Sequence, residues 1–133
     1  MEKIKSNKDK RFRSFLMSAL RKASRFWEPT RECLQKARLE RGIYKCAICS
    51  KITPAKEIRA DHIEPVIPIN GFETWDEVIN RLFCEVNGFQ AICKPCHDEK
   101  TKKENAQRRF IKKEKAVLNY NVKKRKSKNE KKD

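Results

Sequence analysis

Four cysteines are spaced for metal chemistry. Cys46-Ala-Ile-Cys49 and Cys93-Lys-Pro-Cys96 each place two thiols across a two-residue gap, so both sulfurs of a pair can face one ion. Four thiolates have the count and softness that suit tetrahedral zinc, which makes a structural Zn²⁺ site the first expectation. The 43 residues between Cys49 and Cys93 exceed the roughly 15 to 20 of a simple zinc ribbon, so the clamp should pin the ends of a larger inserted element. Two buried thiol pairs without metal are one alternative. A redox pair is another, weakened by the lack of a thioredoxin-like βαβ pattern around either motif. Cys33 and Cys84 have no near partner and stand among apolar residues, so free buried thiols are expected there.

The insertion holds a second constellation. Arg59-Ala60-Asp61-His62-Ile63-Glu64-Pro65 sets an acid beside one of the chain's two histidines, and the other, His97, directly follows Cys96. In an extended strand Ile58, Ala60 and His62 point to one side and Asp61 and Ile63 to the other, with Pro65 at the edge or end. Either histidine alone would be read as a satisfied structural group. One beside an acid and one beside a thiol clamp together point to a reactive site.

The order Cys-x-x-Cys, Asp-His-Ile-x-Pro, a Gly-bearing turn, then Cys-x-x-Cys-His-x-x-Lys-Thr resembles the zinc-clamped HNH endonucleases, which have a ββα-metal active site. The matching stretch runs from about Tyr44 to Glu104. Likeness to small phage-encoded HNH proteins extends to Ala37-Arg38 through Tyr44, to Phe72-Glu73-Thr74-Trp75 and to Arg81-Leu82-Phe83-Cys84-Glu85. The resemblance implies an α+β fold with a small ββα-metal (HNH) core and a metal-dependent hydrolase of DNA phosphodiester bonds. That enzyme would nick or cut duplex DNA and leave a 5′-phosphate and a 3′-hydroxyl. By position, His62 matches the family's general base and Asp61 its metal-binding acid. His97 matches the final histidine, the second protein ligand of a catalytic Mg²⁺ or Mn²⁺ ion. The chemistry is consistent: phosphodiester hydrolysis needs a water, a base such as an imidazole, and a cation to offset charge on the phosphate and leaving oxygen.

One position departs from the family pattern. The middle asparagine commonly precedes the second cysteine pair by five residues, where this chain has Gly88, with Asn87 one residue earlier. That asparagine ties the loop between strands and orients the base, so Asn87 is the expected substitute through a small shift in the turn. Asn80, in an expected helix from Trp75 to Phe83, is a weaker stand-in. Lys100 follows His97 by three residues on the same helix side and resembles the family's phosphate-facing lysine. Arg108 and Arg109 further along could track a DNA backbone.

The elements around this site carry most of the charge. The 133 residues hold 34 Lys and Arg against 18 Asp and Glu, a net of +16. Residues 1–45 have 14 basic and 5 acidic groups, residues 46–100 have 6 and 9, and residues 101–133 have 14 and 4. Two basic arms thus flank a slightly acidic centre, which favours a polyanion as partner and a divalent cation at the core. The expected organisation is a basic helical arm over 1–43, the nuclease core over 44–104, and a basic helix with an unordered tail over 105–133. In the first arm Phe12, Phe15, Leu16, Ala19 and Leu20 make an apolar stripe, Pro29 interrupts it, and Thr30 could cap a second helix ending near Gly42. The last arm should be helical from His97 to about Tyr120, followed by the like-charge run from Lys123 to Lys132.

At this length one modest core is expected, which excludes a large multidomain enzyme. No segment reaches the roughly 18 to 20 apolar residues of a membrane span, and the lysine-rich start lacks a signal's apolar stretch. The expectation is a soluble cytoplasmic protein, in a host cell if phage-encoded, acting on DNA and associated with a packaging terminase or with homing. A zinc-stabilised DNA-binding module with weak or no cleavage is the main alternative. An RNA-binding or ribosome-associated zinc protein would explain the charge but not the Asp-His pair. Sequence specificity and oligomeric state have no readable signal.

Overall fold

The computed structural model describes residues 9–131. Helix α1 (Lys10–Ser24) starts at Asp9, whose Oδ1 accepts hydrogen bonds from the backbone N–H groups of Arg11 and Phe12 at 3.0 and 3.3 Å. Its inward face is rotated from the expected stripe. Phe12, Leu16 and Leu20 do turn inward, but Met17 is the buried member, while Ala19 is exposed and Phe15 is 73% exposed. The helix is covered along one narrow side only, by Val66, Val78, Leu82 and their neighbours, so Phe15 and Ala19 fall outside the seam.

Helix α2 (Glu28–Ala37) takes Pro29 into its first turn, where a missing N–H costs nothing, so it begins ahead of Thr30. It also ends earlier than the apolar spacing suggests. Arg38–Glu40 forms strand β1 and pairs antiparallel with β2 (Ile43–Lys45) across a turn in which Gly42 takes φ +76°. Strand β3 (Ile52–Pro54) completes a three-stranded sheet in the order β1-β2-β3. The β2–β3 connection carries Cys46 and Cys49, and Ser50 adopts φ 61° to close it.

The second sheet has two strands, β4 (Ile58–His62) and β5 (Phe89–Cys93), antiparallel with Asp61 opposite Gln90 and His62 opposite Phe89. Between them lie an irregular segment, helix α3 (Trp75–Leu82) capped by Thr74, and a 3₁₀ turn at Val86–Gly88. The Ile63 N–H donates to the Gly88 carbonyl at 2.9 Å and extends the pairing past the strand end. Helix α4 (Lys94–Glu130) follows β5 directly, with Pro95 in its first turn, three residues ahead of the expected start at His97. It passes Tyr120 without a break because no Gly or Pro interrupts a run of strong helix formers. The lysine run expected to be unordered is therefore helical through Glu130, while Lys132 lies outside the described residues. From Lys112 onward every described side chain is exposed.

Three buried clusters join these elements. Met17, Val66, Val78 and Leu82 fasten α1 to α3, and Cys33, Ile58, Phe89 and Ala91 fasten α2 to the β4–β5 hairpin. Cys46, Ile92 and Cys93 form the third, with Cys96 against it. Cys33 is buried and Cys84 half-buried, and burial pushes both thiols up, in keeping with structural rather than reactive roles. No helix among the described residues is long and apolar enough to cross a membrane.

Gly88 is fixed by this packing. A Cβ built there would lie 2.5 Å from the Cys84 Sγ and 3.0 Å from its Cβ. Gly88→Ala is expected to lower unfolding stability by about 2 kcal/mol in a urea titration, within the usual cost of overpacking, and Cys84→Ala in the same chain should recover most of the loss.

Candidate functional site

The four paired cysteines converge. The Sγ atoms of Cys46, Cys49, Cys93 and Cys96 all lie within 4.8 Å of one another, with Cys49 and Cys93 at 3.7 Å. Four sulfurs at about 2.3 Å from a central zinc would sit about 3.8 Å apart along a tetrahedron's edges, so the cluster could hold such an ion. Two sulfurs come from the β2–β3 connection, one from the end of β5 and one from the first turn of α4. Backbone hydrogen bonds set the knuckle: the Ala47 N–H donates to the Ala91 carbonyl at 2.8 Å, and the Cys49 and Cys93 N–H groups point at the Cys46 Sγ at 3.5 and 3.4 Å.

These thiols cannot ionise independently. Burial pushes Cys46 up, but backbone N–H groups from Cys49, Cys93 and Ile48 more than offset it and bring the thiol down to about 6. Cys96 is pushed up to about 12, first by its hydrogen bond with Cys93 and then by burial. Four thiols packed this closely disfavour a second thiolate, because each new negative charge would meet the first at short range.

The acid and the histidines also converge. Asp61, near the end of β4, faces α4: its Oδ1 is 3.7 Å from the Nε2 of His97 and its Oδ2 is 3.0 Å from the Nζ of Lys100. Gln90, its cross-strand partner, reaches the same Oδ2 at 3.4 Å. His62, one residue on, packs against Phe89 with ring centroids 4.6 Å apart, on the side that carries Ile58 and Ala60. Its Nε2 lies 2.9 Å from the Leu82 carbonyl. A carbonyl only accepts, so Nε2 carries a proton there, and in the neutral ring Nδ1 is the nitrogen with the lone pair. Asp61, His62 and His97 line one cleft of about 490 Å³ together with Pro65, Val66, Ile67, Lys100 and Glu104.

Lys100 lies deeper than a phosphate-facing lysine would. Its ammonium donates to Asp61 Oδ2, to Glu104 Oε1 at 2.7 Å and to the His62 carbonyl at 3.0 Å, which uses all three of its N–H groups. Burial would pull its pKa down, but the bonds to Glu104 and Asp61 outweigh it and raise it, so the group stays charged. Arg108 is likewise turned inward. It donates to the carbonyls of Pro68 and Ile67 at 3.2 and 2.7 Å and, with Lys115 on Asn70, holds the segment after β4 against α4. Arg109 is exposed and remains free to meet solvent or a polyanion.

Asn87 does not join this group. It is exposed in the 3₁₀ turn and lines a different cleft of about 600 Å³, with Cys33, Lys36, Leu39 and Lys45. That cleft is larger, but it holds neither histidine nor Asp61. The loop-tying expected of an asparagine is done by backbone groups instead, through the Gly88 carbonyl on Ile63 and the Leu82 carbonyl on His62. Asn80 lies in α3 and is exposed. Two partners of the site were not expected from the sequence. Glu104 has a readable signal, its four-residue spacing from Lys100 on a helix, whereas Gln90 becomes a neighbour of Asp61 only through strand register.

No family model, curated protein or solved structure matches the chain. The site's meaning therefore rests on its own geometry. One tightly held zinc per chain is the expected result of metal analysis on purified protein. Cys93→Ser should lower the Tm by roughly 10 °C or more, consistent with loss of several kcal/mol from a small domain. Because metal-bound sulfurs must be thiolates, protons compete with the ion, so acidification to about pH 5 should release zinc, as followed with a chromogenic chelator.

Proposed function

We propose that the protein is a metal-dependent endonuclease of the HNH class that hydrolyses phosphodiester bonds in DNA. The observation that carries this reading is the strand-strand-helix unit β4-β5-α4, which brings Asp61, His62 and His97 to one cleft with Asp61 Oδ1 3.7 Å from His97 Nε2. The Asp61 carboxylate is a donor suited to Mg²⁺ or Mn²⁺, His97 would add an imidazole nitrogen, and two protein ligands leave positions for water and phosphate. A bound divalent ion would offset charge on the phosphate and the leaving oxygen.

The chain's own groups supply the rest. His62 presents Nδ1 as the proton acceptor for an attacking water, and its Nε2 bond to Leu82 fixes the ring and the tautomer. Gln90 and Lys100 hold the Asp61 carboxylate in place. The four-cysteine cluster, as a structural zinc site, fixes the start of α4 and with it His97. The basic helices α1 and α4 would meet the DNA backbone through counterion release, without reading bases. A phage setting, in the host cytoplasm beside a packaging terminase, belongs to the same proposal and rests on the sequence resemblance alone.

A second reading has its own observation. Asn87 lies away from the cleft and Lys100 occupies Asp61, an arrangement also suited to a zinc-stabilised DNA-binding module with little or no cleavage. Supercoiled plasmid incubated with the protein and Mg²⁺ or Mn²⁺ separates the two. The expected outcome is nicked or linear product, with His62→Ala slower by about 10²- to 10⁴-fold while its zinc content is unchanged. Cleavage by His62→Ala at the parent rate would remove that histidine as base. A parent that shifts DNA in a gel but never cuts it would establish the binding module.

A further inference from the structure

Asp61 and Lys100 form a direct ion pair at the cleft, Oδ2 to Nζ at 3.0 Å, and the nuclease reading alone leaves it unexplained. Asp61 is 14% exposed at its side chain, too little to be left without a counter-charge at no cost. Lys100 supplies that charge, but it does so from the oxygen next to the one that faces His97. With its three N–H groups on Asp61, Glu104 and the His62 carbonyl, the ammonium has no donor left for a phosphate. Glu104 matters because it is the shorter of the two carboxylate contacts, 2.7 against 3.0 Å, and lies one turn further along α4.

We propose that Lys100 is a tethered cation that competes with a divalent ion for Asp61, and that Glu104 is the positioning residue that keeps the ammonium seated when Asp61 turns to the ion. The proposal rests on the reading of Asp61 and His97 as a divalent-ion site. An ion at that pair and an ammonium on the same carboxylate repel each other across a few ångströms, so each weakens the other's hold. Glu104 lets Lys100 give up one bond without leaving the cleft. The N–H it withdraws from Asp61 then faces the cleft and becomes available to a phosphate oxygen. Ion binding and phosphate binding are thereby coupled through one side chain, and the acidic group stays neutralised before the ion arrives.

Mn²⁺ titration of the zinc-loaded full chain, followed by calorimetry and by the electron spin resonance of free Mn²⁺, tests this without reference to cleavage. Lys100→Met and Lys100→Gln are each expected to tighten Mn²⁺ binding by roughly tenfold, since both remove the competing charge and the second keeps a polar group. Glu104→Gln should weaken Mn²⁺ by about fivefold in the native background, because Asp61 is then the one carboxylate left to Lys100. In the Lys100→Met background the same change should cost less than about twofold, a non-additivity that a merely structural role would not produce. Unchanged or weaker Mn²⁺ binding in both Lys100 variants, with Asp61→Asn abolishing it, overturns the inference and leaves the ion site standing. Equal losses from Glu104→Gln in both backgrounds would make Glu104 a ligand and overturn its seating role. A parent that binds no Mn²⁺, or an Asp61→Asn variant that binds it as well as the parent, removes the underlying ion site and the inference with it.

Discussion

The four-sulfur cluster is the constraint on which the other parts depend. It brings the β2–β3 connection of the short three-stranded sheet to the end of β5 and the first turn of α4. A chain with so much charge and so few fully buried side chains has limited means of holding these pieces by packing alone. The cluster also acts at the point where direction matters most. Cys96 adjoins His97, so the placement of one sulfur sets where the imidazole meets Asp61. Backbone bonds from Ala47 to Ala91 and from Lys94 to Glu57 make the same junction rigid from both sides. Site geometry and fold stability are in this sense one problem with one solution.

A second consequence follows for the charge. Taken as a total, +16 describes only an affinity for polyanions. In the folded chain the cations divide into two kinds. Lys100, Arg108 and Lys115 are spent on internal acceptors, where they anchor the segment after β4 and neutralise Asp61. The remaining lysines and arginines of α4, from Arg109 on, lie on a helix whose distal side chains are all exposed. Lys102 and Lys103, close to the reactive groups in sequence, are exposed, so availability follows the helix face and not distance along the chain.

The strand carrying Asp61 and His62, the helix around Trp75 and the convergence of four cysteines were all legible in the residues. Local signals account for the strand and the thiols, through alternation across a strand and paired thiol spacing. Where the fold departs from the residue pattern, tertiary context decides, in a different way each time. Leu39 continues the helical spacing of α2, yet pairing with β2 across Gly42 captures Arg38–Glu40 as a strand. The α1 stripe was misjudged because periodicity marks which residues are apolar and not how wide a surface the neighbours cover. Gln90 beside Asp61 was invisible for a third reason: two strands separated by a helix and a turn have a register set by tertiary packing.

Asn87 lies away from the cleft that Asp61, His62 and His97 line. At the position expected to hold an asparagine, the fold has Cys84 pressed against the backbone, and only glycine fits there without a shift. An amide side chain at that place would collide with the sulfur before it could tie the loop. The same closeness puts the Gly88 carbonyl within 2.9 Å of the Ile63 N–H and leaves the Leu82 carbonyl facing His62. Backbone acceptors hold the strand end and the imidazole in one arrangement, and they do so with less freedom than a side chain would retain. In the folded chain backbone carbonyls, and not the Asn87 side chain, are the groups that meet Ile63 and His62.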